Sequence, residues 1–203
     1  MQQFTSKISL EERLSQPKVI VEIGPGLKRV MPDALTIDMF DADSVDIICN
    51  LNEGLSFFPD NSIDEIHSSH VLEHIEKFAE LMAEMLRVLK VGGKVCGTVP
   101  HFSNAYFYSD YTHSKYFGLY SFSYFENQKY FKRKVPAFYN TCKYDVNKIR
   151  LEFISPFPVR NFIRKAFGYI VNINTYMKEF YEENLTGWIS CYQIRFELEK
   201  PAK

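Results

Sequence analysis

Two apolar runs stand unusually close together near the start of the chain. The run VIVEIGPG (19–26) meets a second run, ALTID (34–38), after only seven residues, 27 to 33, with Pro32 among them. The first reads as a buried strand ending on a glycine turn, and the second as another strand. A parallel crossover with its helix normally needs at least about 10–12 residues. The first crossover helix is therefore expected to be one turn or absent. Each strand also closes with a carboxylate, Glu22 or Asp38, so the pair looks like one wall of a nucleotide site.

The later segments extend the same pattern. SVDIICN (44–50) and SIDEIHS (62–68) read as a third and fourth strand. HVLEHIEKFAELMAEMLRVLK carries Ile75, Phe78, Met82, Met85 and Leu89 at helical spacing, with Gly92-Gly93 expected to stop the helix. KVCGTVP (94–100) is a fifth strand. This order argues for an α/β fold with a mostly parallel sheet, whose ligand edge lies at the carboxyl ends of the strands. In the tail, NKIRLEFIS reads as a strand. Residues 160–183 read as a helix with Phe162, Ile163, Phe167 and Ile170 on one side, and ISCYQIRFELEK as an antiparallel strand.

Residues 101–140 interrupt the pattern. They hold 15 of the 32 aromatic residues and show no clean period. Linkers are poor in aromatics, so the segment reads as an inserted lid over an acceptor site. The chain is taken as one domain, 1–203. Its parts are a cofactor-binding half (18–100), the lid (101–140), and C-terminal strands and helix (141–203).

Composition narrows the function classes. The net charge is −1, with 46% hydrophobic and 24% charged residues, which gives no basis for a bulk nucleic-acid binder. No apolar run approaches the roughly 18–20 residues that span a bilayer, and no secretory h-region is evident. The four cysteines are scattered, with no CxxC pair. They read as reduced buried thiols of a cytoplasmic protein rather than a zinc or disulfide framework. No metal-ligand cluster is evident from spacing.

The glycine turn would let backbone N–H groups approach a ligand closely. Asp38 could accept both ribose hydroxyls, and Asn50, at the end of the third strand, could bond an adenine edge. Solvated strand ends are the plainer alternative for Glu22 and Asp38. A dinucleotide site would want G-x-G-x-x-G and an intact helix, whereas Arg29 stands at the third glycine position and the helix is missing.

With EIGPG (22–26), Asp38, LSFFPDNSIDEIHSSHVLEHI and LRVLKVGGKV in this order, residues 18–100 resemble the class I S-adenosylmethionine-dependent methyltransferases. The resemblance implies a Rossmann-like sheet with an antiparallel C-terminal strand. It implies S-adenosyl-L-methionine as cofactor and S-adenosyl-L-homocysteine as product. Glu22, Ile23, Gly24, Pro25 and Gly26 would pack against the methionine part. Asp38 and Met39 would hold the ribose, Asn50 and Leu51 would border the adenine, and Ser69 and His70 would lie near the methyl group. Asn50 departs from the acid usual at its position, though an amide still donates and accepts.

The acceptor's proton needs a base, which adds typically 10²–10⁴-fold. The stretch 98–125 offers His101 at the expected pocket rim, and Asp110 and His113 three residues apart. Each has a plainer role: Asp110 as a cap, His113 as a bond holding the lid, His101 as packing. SDYTHSKYFGLYSF resembles the Asp-x-Thr-His segment of sugar- and surface-polysaccharide-associated members. Ser103, Asn104, Tyr106, Tyr108 and Tyr111 are the expected acceptor contacts, with lid core as the tyrosines' alternative. Lys129, Lys132, Arg133 and Lys134 would suit a phosphate on the acceptor, or simply form a solvated face.

The leading expectation is methyl transfer to a hydroxyl or amine of a small polar acceptor: a sugar, a nucleotide-linked sugar or a phosphorylated metabolite. Nucleic-acid or protein methylation, and cofactor binding without turnover, are the alternatives. The aromatic-rich segment could also be an oligomer surface.

Overall fold

The computed structural model describes residues 4–127 and 129–202. Its strands are β1 (Phe4–Ser6), β2 (Ile20–Ile23), β3 (Leu35–Asp38), β4 (Ile47–Cys49), β5 (Ile63–Ser69), β6 (Leu89–Pro100), β7 (Asp145–Glu152) and β8 (Gln193–Glu199). Its α-helices are α1 (Leu10–Leu14), α2 (Phe78–Val88), α3 (Pro158–Val171) and α4 (Thr175–Asn184). All eight strands form one sheet in the order β1-β4-β3-β2-β5-β6-β8-β7. β2, β3, β4, β5 and β6 run parallel. β8 is antiparallel to both β6 and β7, and β1 to β4. This is the expected Rossmann-like sheet with an antiparallel C-terminal strand.

The short first crossover is confirmed, since no helix lies between β2 and β3. Its absence shapes the whole molecule. Cross-strand register sets Glu22, His67, Cys96, Glu197 and Lys148 in one row across the sheet, and Glu65, Lys94 and Glu199 in the next. This face is polar and laced with ion pairs, Lys18–Glu65, Lys94–Glu197 and Arg195–Glu152. The opposite face carries the core. There Phe122 meets Phe196, Phe153 meets Phe167 and Tyr181, and Tyr144 Oη donates to the Met82 carbonyl of α2. A sheet covered on one face alternates apolar and polar residues, and QIRFELE of β8 does so.

Three expectations are corrected. Gly92-Gly93 do not stop the helix: α2 ends at Val88, and both glycines lie inside β6, where Gly92 has φ +75°. The single tail helix is two, α3 and α4. Asn172 breaks it by bonding the backbone N–H and C=O of Leu151 in β7, and Asn174 caps α4 at Met177. The apolar residues expected on one side do not make the packed face: Phe162, Ile163 and Ile170 are exposed, and Gly168 and Val171 are buried instead.

The aromatic segment mainly fills the core rather than capping the sheet edge. Phe107, Phe117, Phe122, Phe125 and Phe131 are buried, and Phe78 of α2 packs edge-on against Phe117 and Phe125. Most of the tyrosines stay nearer the surface. No helix among the described residues is long and apolar enough to cross a membrane.

Candidate functional site

Carboxyl ends of β2, β3 and β4 converge on a cleft of about 550 Å³, within the roughly 300–1,000 Å³ usual for ligand sites. Gly24 and Gly26 form one wall, with Asp38, Met39, Asn50 and Leu51 beside them. His70, Val71, His74, Ile75 and Thr112 close the other side.

The turn is built for close approach. Gly24 and Gly26 have φ +68° and +59°, a region that favours glycine. Ser44 Oγ donates to the Gly26 carbonyl at 2.5 Å and pins the turn. Asp38 accepts the Phe40 N–H at 3.2 Å, which orients its carboxylate at the strand end. Asn50 Oδ1 accepts from both the backbone and side-chain nitrogen of Asn52, at 3.0 and 3.2 Å. Both asparagines line the cleft. Cys49 lies beneath them; burial, then the charges of Glu53 and Asp38, push its thiol up to about 12, so it stays protonated. A bare glycine backbone, a strand-end carboxylate and an amide donor fit an adenosyl group with an attached amino acid.

Several expected site residues lie elsewhere. Glu22 does not line this cleft. It is buried and accepts the N–H groups of Val30 and Met31 at 3.1–3.2 Å, tying down the helix-less crossover. Its side chain borders a separate cavity of about 480 Å³ on the polar face, with Ser69 and Thr98, whose hydroxyls bond each other. His70 lines both spaces. Its φ is +55°, and its Nε2 meets Gln193 Oε1 at 2.9 Å. The Glu73 carboxylate, above all, holds its imidazole above the ordinary histidine range, against the opposing effect of burial. Ile23 and Pro25 are buried.

The expectation that His101 stands at the rim is corrected. It is wholly buried, with Nδ1 bonded to Ser103 Oγ and Nε2 to Glu182 Oε2 at 2.8 and 2.9 Å. Ser103 also accepts the Cys191 N–H, and Asn104 bonds the Tyr192 carbonyl and caps Tyr106. These residues anchor the insertion to the segment before β8. Tyr106, Tyr108 and Tyr111 are exposed and outside the cleft lining, and Tyr108 donates to the Phe102 carbonyl. Lys132 and Arg133 engage Glu179 and Glu183 of α4 on the surface.

Asp110 and His113 back the cleft instead of lining it. The Thr112 hydroxyl donates to Asp110 Oδ1 at 2.6 Å and contacts His74 Nδ1 at 2.9 Å. His113 Nδ1 donates to the Phe107 carbonyl, and its Nε2 lies 3.6 Å from Asp110 Oδ2. His74, which the sequence reads mainly as a structural residue at a helix start, and Thr112, which is outside the expected site set, both line the cleft. For Thr112 the Asp-x-Thr-His segment was the available signal.

Residues 28–97 match the family model described as a methyltransferase domain. Among solved structures, the chain is similar to a SAM-dependent methyltransferase from Archaeoglobus fulgidus. Identity is 14% and the TM-score 0.52, covering 94% of this chain and 89% of that one. It is similar to geranyl diphosphate C-methyltransferase from Streptomyces coelicolor A3(2), solved with S-adenosyl-L-homocysteine. That match has 12% identity and a TM-score of 0.53, covering 94% and 73%. A phosphoethanolamine N-methyltransferase 2 from Haemonchus contortus matches at 15% identity and TM-score 0.52; it covers 95% of this chain, which spans about half (52%) of that one. No curated protein sequence matches. The methyltransferase-domain match thus spans about a third of the chain, from the first crossover into β6, and the sheet around the glycine-turn cleft has the fold of the S-adenosylmethionine-dependent methyltransferases.

Proposed function

We propose that the protein methylates a hydroxyl or amine of a small polar acceptor. A sugar, a nucleotide-linked sugar or a phosphorylated metabolite is the class intended, with surface-polysaccharide synthesis as the setting suggested by the Asp110–Thr112–His113 segment. The observation that carries this reading is one cleft with two chemical ends. One end offers Gly24, Gly26, Asp38 and Asn50; the other offers His70, His74 and Thr112.

S-adenosylmethionine supplies a methyl group already activated on a sulfonium. The chain's own part is to orient, to exclude water and to move a proton. Asp38 and the amide of Asn50 fix the adenosine. Thr112, held by Asp110, fixes His74 with Nδ1–H toward the hydroxyl, which leaves Nε2 as the proton acceptor. With the cofactor bound, His74 Nε2 would take the proton that the acceptor's hydroxyl or amine gives up as it is methylated. Holding the atoms about 3–3.5 Å apart supplies several kcal/mol of the acceleration.

The test is binding first and turnover second. S-adenosylmethionine should raise the melting temperature by linkage, and NAD should not. A panel of sugars, nucleotide sugars and phosphorylated metabolites should then include an acceptor that releases S-adenosyl-L-homocysteine. No binding at millimolar cofactor, or turnover only on nucleic acid or protein, overturns the reading.

A further inference from the structure

We infer that Glu73, His74 and His113 form a binding site for one divalent transition-metal ion on the wall of the cleft. One ligand-capable atom from each lies within 4.8 Å of the other two.

Glu73 is the first pointer. The turn 72–74 after β5 drives its side chain inward, and the residue is 0% exposed. Neither carboxylate oxygen has an aligned hydrogen bond, and its charge is met by His70 Nδ1, 3.3 Å from Oε1. One off-line ion pair leaves the hydrogen-bonding capacity of a buried carboxylate unmet, which is costly and which coordination of a metal ion would relieve. The same residue's backbone carbonyl accepts the N–H groups of Ser114 and Lys115 at 2.8 and 3.1 Å. Those bonds clamp the 110–115 segment to the turn and bring the rings of His74 and His113 to 4.8 Å.

The histidines supply the second pointer. Nδ1 of His113 faces a carbonyl, so it carries the proton and Nε2 keeps a lone pair. Nδ1 of His74 faces the Thr112 oxygen, whose own proton goes to Asp110, so the same tautomer follows. Metal-bound histidines are held in this way, with the second ring nitrogen donating to an oxygen behind it.

Two imidazoles and one carboxylate suit Zn²⁺ with an open position, or Fe²⁺. Tetrahedral donor atoms about 2.1 Å from one ion lie about 3.4 Å apart, so the ion would draw the widest pair together by up to roughly 1.4 Å. His74 also lines the cleft. The use of the ion rests on the proposed function: bound there, it would take over from the His74 lone pair the task of acidifying the acceptor. Its binding does not depend on that reading.

The experiment titrates chelator-stripped full-length protein with Zn²⁺ by calorimetry and with Co²⁺ by visible absorption, with neither cofactor nor acceptor present. One ion per chain is expected, with a Co²⁺ spectrum typical of nitrogen and oxygen ligands. Glu73→Gln and His113→Ala should each weaken binding at least about 100-fold. His67→Ala, on the polar sheet face, should leave it unchanged. Circular dichroism of each variant separates lost binding from lost fold, and His74→Ala is the second ligand variant should Glu73→Gln fail to fold. No stoichiometric binding by the wild type, or wild-type affinity in folded His74→Ala and His113→Ala, overturns the site.

Discussion

Gly24 lies directly against Val71, so that a β-carbon at position 24 would collide with the Val71 side chain. The contact joins the glycine turn after β2 to the turn after β5, across the floor of the cleft. Gly24→Ala forces both a left-handed alanine and a displaced Val71. The backbone alone should cost about 1–2 kcal/mol. Denaturant unfolding should show that loss, and calorimetry should show S-adenosylmethionine binding abolished or weakened by more than about tenfold. Gly26 has a similar φ but no atom within 4 Å of an added β-carbon, so Gly26→Ala should keep more of the affinity.

Asp38→Ala should separate binding from folding. The carboxylate makes one local bond, to Phe40 N–H, and sits at the cleft. Losing charged hydrogen bonds to a ribose costs about 1.5–3 kcal/mol, or roughly 10- to 150-fold in affinity. The melting temperature without cofactor should hardly change, and the stabilisation by S-adenosylmethionine should largely vanish.

His101→Ala should damage the fold and spare the cofactor site. The mutation strips a bond from Glu182, which then keeps the Leu119 N–H at 2.8 Å as its remaining bond from the segment it anchors. An unsatisfied buried acceptor costs about 1–3 kcal/mol. Chemical denaturation should register that loss while cofactor affinity stays near wild type. Unchanged stability with collapsed turnover would restore His101 to the chemistry.

The strands were readable because each is a short apolar run punctuated by glycine, proline or an acid, and counting residues 27–33 sufficed to remove a helix. What escaped the sequence depends on contacts between distant residues. His101 becomes a core residue only because Glu182 arrives 81 positions later. Glu73 and His74 meet His113 only because the 110–115 backbone bonds to the Glu73 carbonyl. The phenylalanines of 101–140 and its tyrosines look alike as apolar residues, and packing against Phe78 and Phe196 decided which went inside. Glu22 matched its motif position, yet its carboxylate was drawn to the loop N–H groups of Val30 and Met31 that no helix satisfies.

Acid should unfold the protein partly through Asp46. Burial alone would raise its pKa, but bonds from Arg29 and from the backbone and hydroxyl of Thr36 outweigh that and hold it below the usual carboxylate range. A depressed folded pKa means that the unfolded chain binds the proton more readily. The stability Asp46 contributes is therefore full above about pH 3.9, the ordinary aspartate value, and is lost as pH falls through the folded pKa. Asp46→Asn keeps the shape and removes the charge facing Arg29. It should be less stable than wild type at pH 7 by about 1–3 kcal/mol, and the gap should narrow as pH drops below about 4. Urea unfolding of both proteins between pH 3 and 7 measures it, and a gap independent of pH would show that Asp46 acts by shape and not by charge.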